Sequence, residues 1–242
     1  MKSLTKLTIL LAVLVLLAAC GATETAPEPT EAVAVEATSA PEATEAPEPT
    51  EAAEPTEAAE PAEPVILRYA DKAADVGTLD PHFAAATNDR NVVDMIFNAL
   101  IRYKPGDGSM FEPDLATELP EPELVDGKQV WTFNLREGVM CHPSDEVPAY
   151  ELTSEDVVWS LQKSANADTS AYAGEYAGMT VEAVDASTVK ITLDTPLSPV
   201  LFFPKVADYA GGFIVCKQSY EALGAEAFKT NPIGTGPFMF ES

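Results

Sequence analysis

Apolar residues recur along this chain in distinct rhythms, and each rhythm predicts a different element. Between residues 90 and 102, Val92, Val93, Ile96, Phe97 and Leu100 repeat at helical spacing, which predicts an amphipathic helix. Residues 130–135 alternate, which predicts a strand with Trp131, Phe133 and Leu135 on its apolar face. Residues 180–184 and 189–193 flank Asp185-Ala186-Ser187-Thr188 and predict a hairpin, with Val189, Ile191 and Leu193 on one face. Thr153-Ser154-Glu155-Asp156 has the form of a capping box, followed by Val157, Val158 and Leu161, and marks a helix start. Residues 77–82 form a turn-rich link, and Pro105-Gly106-Asp107-Gly108 breaks the chain. Residues 195–206 are apolar but interrupted by Pro196, Pro199 and Pro204, which predicts a packed loop or short helical turns. A helix over 217–230 is weakened by Gly224. Strands are expected at 65–69 and, after Gly234-Thr235-Gly236-Pro237, at 238–240. Helices and strands without strict alternation predict an α/β or α+β fold with a mixed sheet.

The first 64 residues follow other rules. Lys2 and Lys6 precede an apolar run from 7 to 17 that is short for a membrane span, and it ends in Leu17-Ala18-Ala19-Cys20-Gly21. This resembles the bacterial lipobox, which implies removal of a signal peptide over 1–19 and lipid attachment at Cys20. Several acyl chains anchor a protein where one alone binds reversibly. An ordinary signal peptide or a lone membrane helix is the competing reading. Residues 21–64 carry twelve Glu, no Lys or Arg, and proline every few positions. With little to bury, 20–64 is expected to be a lipidated cysteine followed by a disordered Glu/Pro/Ala/Thr linker, which leaves 65–242 as the folded domain.

Charge narrows the range of partners. The chain has a formal net charge of −25, and 65–242 retains 27 acids against 12 bases. Such a surface repels nucleic acid and anionic lipid headgroups. The two histidines, His82 and His142, make a weak metal set, so no metal and no cofactor is expected. The plain reading has His82 capping a turn and His142 at a strand end. Asp80, before Pro81, is expected to bond turn amides. Cys141 beside His142 would point to the opposite face of a strand, which argues against a thiol nucleophile. Cys141 and Cys216 either pair in an oxidising compartment or stay separate buried thiols, and separate thiols are the favoured expectation. Gly234-Thr235-Gly236 lacks the lysine and helix of a phosphate loop, and neither a Gly-x-Ser-x-Gly elbow nor a His-Glu-x-x-His motif occurs. The chain is not expected to be an enzyme.

Six segments occur in order: Thr78-Leu79-Asp80-Pro81-His82, Ile96-Phe97-Asn98-Ala99-Leu100-Ile101-Arg102-Tyr103, Glu112-Pro113-Asp114-Leu115-Ala116, Trp131-Thr132-Phe133-Asn134-Leu135-Arg136-Glu137-Gly138-Val139, Leu152-Thr153-Ser154-Glu155-Asp156-Val157-Val158 and Asn231-Pro232-Ile233-Gly234-Thr235-Gly236-Pro237-Phe238. Together they resemble the family 5 extracellular solute-binding proteins, the oligopeptide and dipeptide receptors of ABC importers. The sequence departs from the family at 143–150, a longer insertion, and after Ala116, where an expected tryptophan is absent. The resemblance implies a periplasmic-binding-protein-like lobe I with a mixed sheet and a small extra subdomain. The second lobe is expected to be missing, because the family is roughly twice this length. It further implies capture of peptides by two-lobe closure and delivery to an ABC permease, by a monomer anchored outside the cytoplasm on the cell membrane. By spacing, it places ligand contacts at Ala85, Ala86 and Thr87 and, where the chain returns toward the cleft, at Tyr209, Gly211 and Gly212. The alternatives are a same-fold receptor for nickel, haem, an oligosaccharide or an opine-like amine, and more remotely a lipid-anchored hydrolase.

Overall fold

The computed structural model describes residues 66, 68 and 75–241. The chain divides into two units, Met1–Pro64 and Val65–Ser242, and every described residue belongs to the second. The expected signal peptide, Cys20 and the linker lie outside the described residues, as do positions 65, 67 and 69 of the expected strand; its Ile66 and Arg68 are described and are not in a strand.

Helix α1, Thr87–Ile96, begins after Ala86, whose backbone is extended, and carries Asp89 in its first turn. It stops at Ile96, six residues short of the expected helix, because other segments compete for its last carbonyls. Ile96 and Met95 accept the amides of Gly236 at 2.8 Å and Phe238 at 3.1 Å. The approach is close enough that a Cβ on Gly234 would lie 2.2 Å from the Ile96 carbonyl oxygen, so glycine is required there. The same contacts hold 238–240 in irregular backbone against the end of α1, not in the expected strand. The apolar residues read as one helical face are all interior except Val92, which is partly so, but they serve two cores. Val93, Ile96 and Phe97 pack in one core, and Leu100 in the other.

After α1 the chain forms β1 (Ile101–Lys104) and β2 (Asp107–Pro113), an antiparallel pair turned at Gly106. The main sheet follows: β3 (Glu123–Val125), β4 (Lys128–Asn134), β7 (Met179–Asp185) and β8 (Thr188–Leu193), in the order β3-β4-β8-β7. Its ladders are antiparallel, and outside it an isolated parallel bridge joins Ile101 to Ala207. The β3–β4 loop is Asp126-Gly127, both at positive φ, the backbone that a two-residue hairpin demands. The β7–β8 hairpin and the inward Trp131, Phe133, Val189 and Ile191 match the alternation read from sequence, with Trp131 opposite Ile191 and Phe133 opposite Val189.

Two short strands, β5 (Met140–Cys141) and β6 (Tyr150–Glu151), lead to α2, Ser154–Ser164. The Asp156 carboxylate accepts the Thr153 amide at 3.0 Å, the return half of the expected capping box. Residues 199–205 form short helical turns, α3 (Pro199–Phe202) and a 3-10 turn (Phe203–Lys205), whose Phe202 stacks on Trp131 at 4.4 Å between ring centroids. The expected helix over 217–230 is two pieces, α4 (Lys217–Leu223) and α5 (Ala225–Phe228), parted by Gly224 at φ 76°. Cys141 and Cys216 form a disulfide with Cα atoms 6.0 Å apart. Both sulfurs sit in the sheet-side core, where β5 and the residue before α4 meet, so the expectation of two separate thiols is overturned.

Candidate functional site

The polar face of α2 builds the floor of the site. Ser160, Lys163 and Ser164 lie three and four positions apart, so they share one face of the helix. Ser160 donates to the Phe213 carbonyl at 3.2 Å and accepts the Val215 amide at 2.8 Å, while Ser164 donates to the Gly211 carbonyl at 2.6 Å. Lys163 reaches the other way and donates to both Asp80 oxygens at 3.0 and 2.9 Å and to the Thr169 carbonyl at 3.1 Å. Asp80 accepts the His82 amide at 3.0 Å, as the turn reading expected. His82 does more than cap that turn. Fully buried, it bonds the Phe213 carbonyl at 2.9 Å through Nε2 and meets Lys163 Nζ at 3.2 Å through Nδ1. These contacts fix a neutral ring that donates from Nε2 and accepts at Nδ1. Burial first, and the Lys163 charge second, pull the His82 pKa down to about 3. Burial also lowers Lys163, against the opposing pull of Asp80. The node therefore ties the 80–84 link, α2 and the 211–215 segment into one rigid floor.

On that floor opens a cavity of about 350 Å³, lined by Arg90, Tyr172, Glu175, Tyr176, Leu201, Pro204, Lys205, Tyr209 and Gly211. Tyr209 and Arg90 also line an adjoining cavity of about 220 Å³, together with Asn91, Asp94, Asp208 and Phe213. Arg90 Nη1 donates to the Tyr209 hydroxyl at 3.0 Å, and its guanidinium carbon stands 4.6 Å over the Tyr209 ring. Burial raises Asp208 to about 6; the Tyr103 amide opposes that shift, and the nearby Asp94 and Asp114 charges reinforce it. Burial likewise raises Asp94.

The residues expected to touch ligand are only partly brought together. Tyr209 and Gly211 line the larger cavity. Gly211 is as small as it is because a Cβ would stand 2.8 Å from the Tyr176 hydroxyl. Gly212 is buried behind the wall, where a Cβ would meet the Ala207 carbonyl at 2.2 Å. Ala85, Ala86 and Thr87 are exposed at the start of α1 and do not line the cavity. They adjoin it through Ala84, whose carbonyl accepts Tyr172 Oη at 2.7 Å and Arg90 Nε at 3.4 Å. Among the described residues, nothing accepts the backbone amides of Ala85, Ala86 or Thr87. Arg90, Tyr172, Tyr176, Lys205 and Lys163 escaped the sequence reading. For Arg90 alone a local signal existed, a lone cation next to the expected contact segment.

The second histidine, His142, bonds the Gly236 carbonyl at 2.9 Å at the end of β5, in keeping with its expected place at a strand end. Cys141 is oxidised in the disulfide and offers no thiol. Among the described residues, no three His, Cys, Asp or Glu side chains are grouped to hold a metal ion.

The model of the bacterial extracellular solute-binding proteins, family 5 Middle, matches residues 110–242. The dipeptide-binding protein of Escherichia coli K12 is 34% identical over 166 residues, which is 60% of this chain and 29% of that protein. The structure of MoaA from A. tumefaciens R10 in complex with mannopinic acid is 42% identical, with a TM-score of 0.60 over 69% of this chain and 33% of its own. DppA from Helicobacter pylori, in complex with the peptide STSA, is 25% identical with a TM-score of 0.58, over 70% of this chain and 35% of its own. The chain spans about a third of the length of the curated relatives it matches.

Proposed function

The chain belongs to the bacterial extracellular solute-binding proteins of family 5, and from that premise we propose that it captures short peptides for an ABC importer. In this reading the described domain is one wall of a cleft, and a second lobe closes over the ligand. An extended peptide lies beside Ala85, Ala86 and Thr87, whose amides donate to its carbonyls. Main-chain bonds then supply affinity without reading side chains closely. Tyr209 and Gly211 border the space for one ligand side chain, and Gly212 holds the backbone of that wall. Selection of the closed form by a ligand that touches both lobes would present it to the permease. Export, lipidation at Cys20 and a tether over 21–64 would hold a monomeric receptor at the outer face of the cell membrane.

The observation that carries this reading is the row of exposed amides at 85–87, unbonded among the described residues and set beside the cavity. A second reading, capture of an opine-type acid, draws support from the 42% identity to the mannopinic-acid complex of MoaA. Calorimetry on the full-length protein with di- to pentapeptides and with mannopinic acid separates the two. Heat with peptides is the expected result. Heat with mannopinic acid alone would transfer the protein to the second reading, and silence from both would remove the capture function.

A further inference from the structure

Arg90 is a cation of the cavity wall that no acid among the described residues neutralises. Nε donates to the Ala84 carbonyl at 3.4 Å, Nη1 donates to the Tyr209 hydroxyl at 3.0 Å, and the guanidinium lies over the Tyr209 ring. Each of these partners is neutral. Lys205, the other cation lining the larger cavity, is committed instead to Glu175, at 3.0 Å to Oε2 and 2.7 Å to the carbonyl. Asp94 and Asp208 line the adjoining cavity, yet among the described residues neither forms an ion pair with Arg90. Asp94 feels the charges of Asp114 and Arg102.

A guanidinium oriented by neutral groups keeps its whole charge while losing rotational freedom. Its planar fork matches the two oxygens of a carboxylate, and no existing ion pair has to break before it binds one. The aromatic face of Tyr209 beneath it and the Tyr172 hydroxyl on the same Ala84 carbonyl hold that fork at the cavity, next to the exposed amides of 85–87.

We propose that Arg90 anchors a carboxylate of the ligand, so that this cavity selects small molecules bearing a free carboxylate. The proposal rests on the solute-capture reading and names its substrate class. The two sources of such a group, a peptide terminus and a non-peptide acid, are separated by the probes.

The test is calorimetry on the full-length protein with alanyl-alanine and with mannopinic acid, each beside the amide made from its carboxylate. In Arg90→Gln the acid that binds wild type should lose about thirtyfold in affinity while its amide changes less than about threefold, the loss of one charge-assisted contact. Arg90→Lys, which keeps the charge but not the fork, should fall between. A merely structural arginine would weaken acid and amide alike. Equal losses, or none, would overturn the anchor and leave the capture reading standing, since wild type still binds. An amide that binds wild type as tightly as its acid would overturn it too, and two silent acids would end both readings.

Discussion

Against the face of the β3-β4-β8-β7 sheet, Trp131, Phe133, Val189 and Ile191 bury almost entirely apolar surface and bond mainly through the strand ladders. Around α1 the interior is different. Phe97, Phe213 and Phe228 pack beside a buried lysine, a buried aspartate and a buried histidine, and Lys163 Nζ stands 5.0 Å over the Tyr220 ring. The first region loses little when one contact is trimmed, because dispersion and apolar burial are spread over many atoms. The second is satisfied only as a set, because each polar member compensates the desolvation of another. The polar region reaches the cavity through Gly211, whose carbonyl accepts Ser164, so order in that set carries to the site.

Removing a member of the set should therefore give the largest effect. Lys163→Met leaves Asp80 buried without its cation and should cost about 3–5 kcal/mol of unfolding free energy in urea. Ile191→Val on the sheet should cost about 1 kcal/mol. Adding Asp80→Asn to Lys163→Met should restore at least about 1 kcal/mol, since a neutral pair no longer strands a charge. If Lys163→Met proved no worse than Ile191→Val, the contrast between the two regions would be lost.

The disulfide sharpens the comparison, because it belongs to the sheet-side core yet ends at Cys216, the residue before α4, whose Tyr220 packs on the other side. It closes a separation of 75 residues. Reduction should lower stability by about 2–4 kcal/mol, chiefly by freeing the unfolded chain. Equal urea midpoints with and without reductant would contradict this.

How much of this was legible in sequence follows the same divide. Alternation at 130–135 and 189–193 exposed the sheet because each strand residue reports its own face two positions on. The capping box at Thr153 was equally local. The Asp126-Gly127 hairpin was just as readable and went unread. What could not be read depends on distance along the chain. The end of α1 is set by Gly234 and Gly236, the Asp80–Lys163 pair spans 83 residues, and Cys141 meets Cys216 across a separation of 75. The same holds for the site. Tyr209 and Gly211, named from the family resemblance, line the cavity, whereas Arg90 read locally as the start of a helix, and its contact with Tyr209 lies 119 positions away.

pH should separate a buried group and a half-buried one of opposite sign. His82 is held near 3 in the folded state, so between about 6.5 and 3 the unfolded chain takes up a proton that the folded chain refuses, and stability falls as pH falls. Asp208, raised to about 6, binds its proton more readily when folded, and its contribution is lost as pH rises through 6. Between about pH 4 and 6 the two oppose each other. His82→Gln should flatten the acid decline, and Asp208→Asn should steepen it. Urea midpoints at pH 4, 5, 6 and 7 test both, and matching slopes in the two variants would refute the assignment.

The smallest effect is expected where the sheet core holds its one awkward group. Trp131 is fully buried and stacked on Phe202, but its indole N–H has no hydrogen-bond partner among the described residues. Trp131→Phe removes volume, which destabilises, and also removes an unsatisfied buried donor, which relieves a penalty of about 1–3 kcal/mol. The two terms nearly cancel, so the net change should stay within about 1 kcal/mol. A loss above about 3 kcal/mol would mean that the indole makes a bond through buried water, and the sheet side would then share the all-or-none polar character assigned here to the α1 side alone.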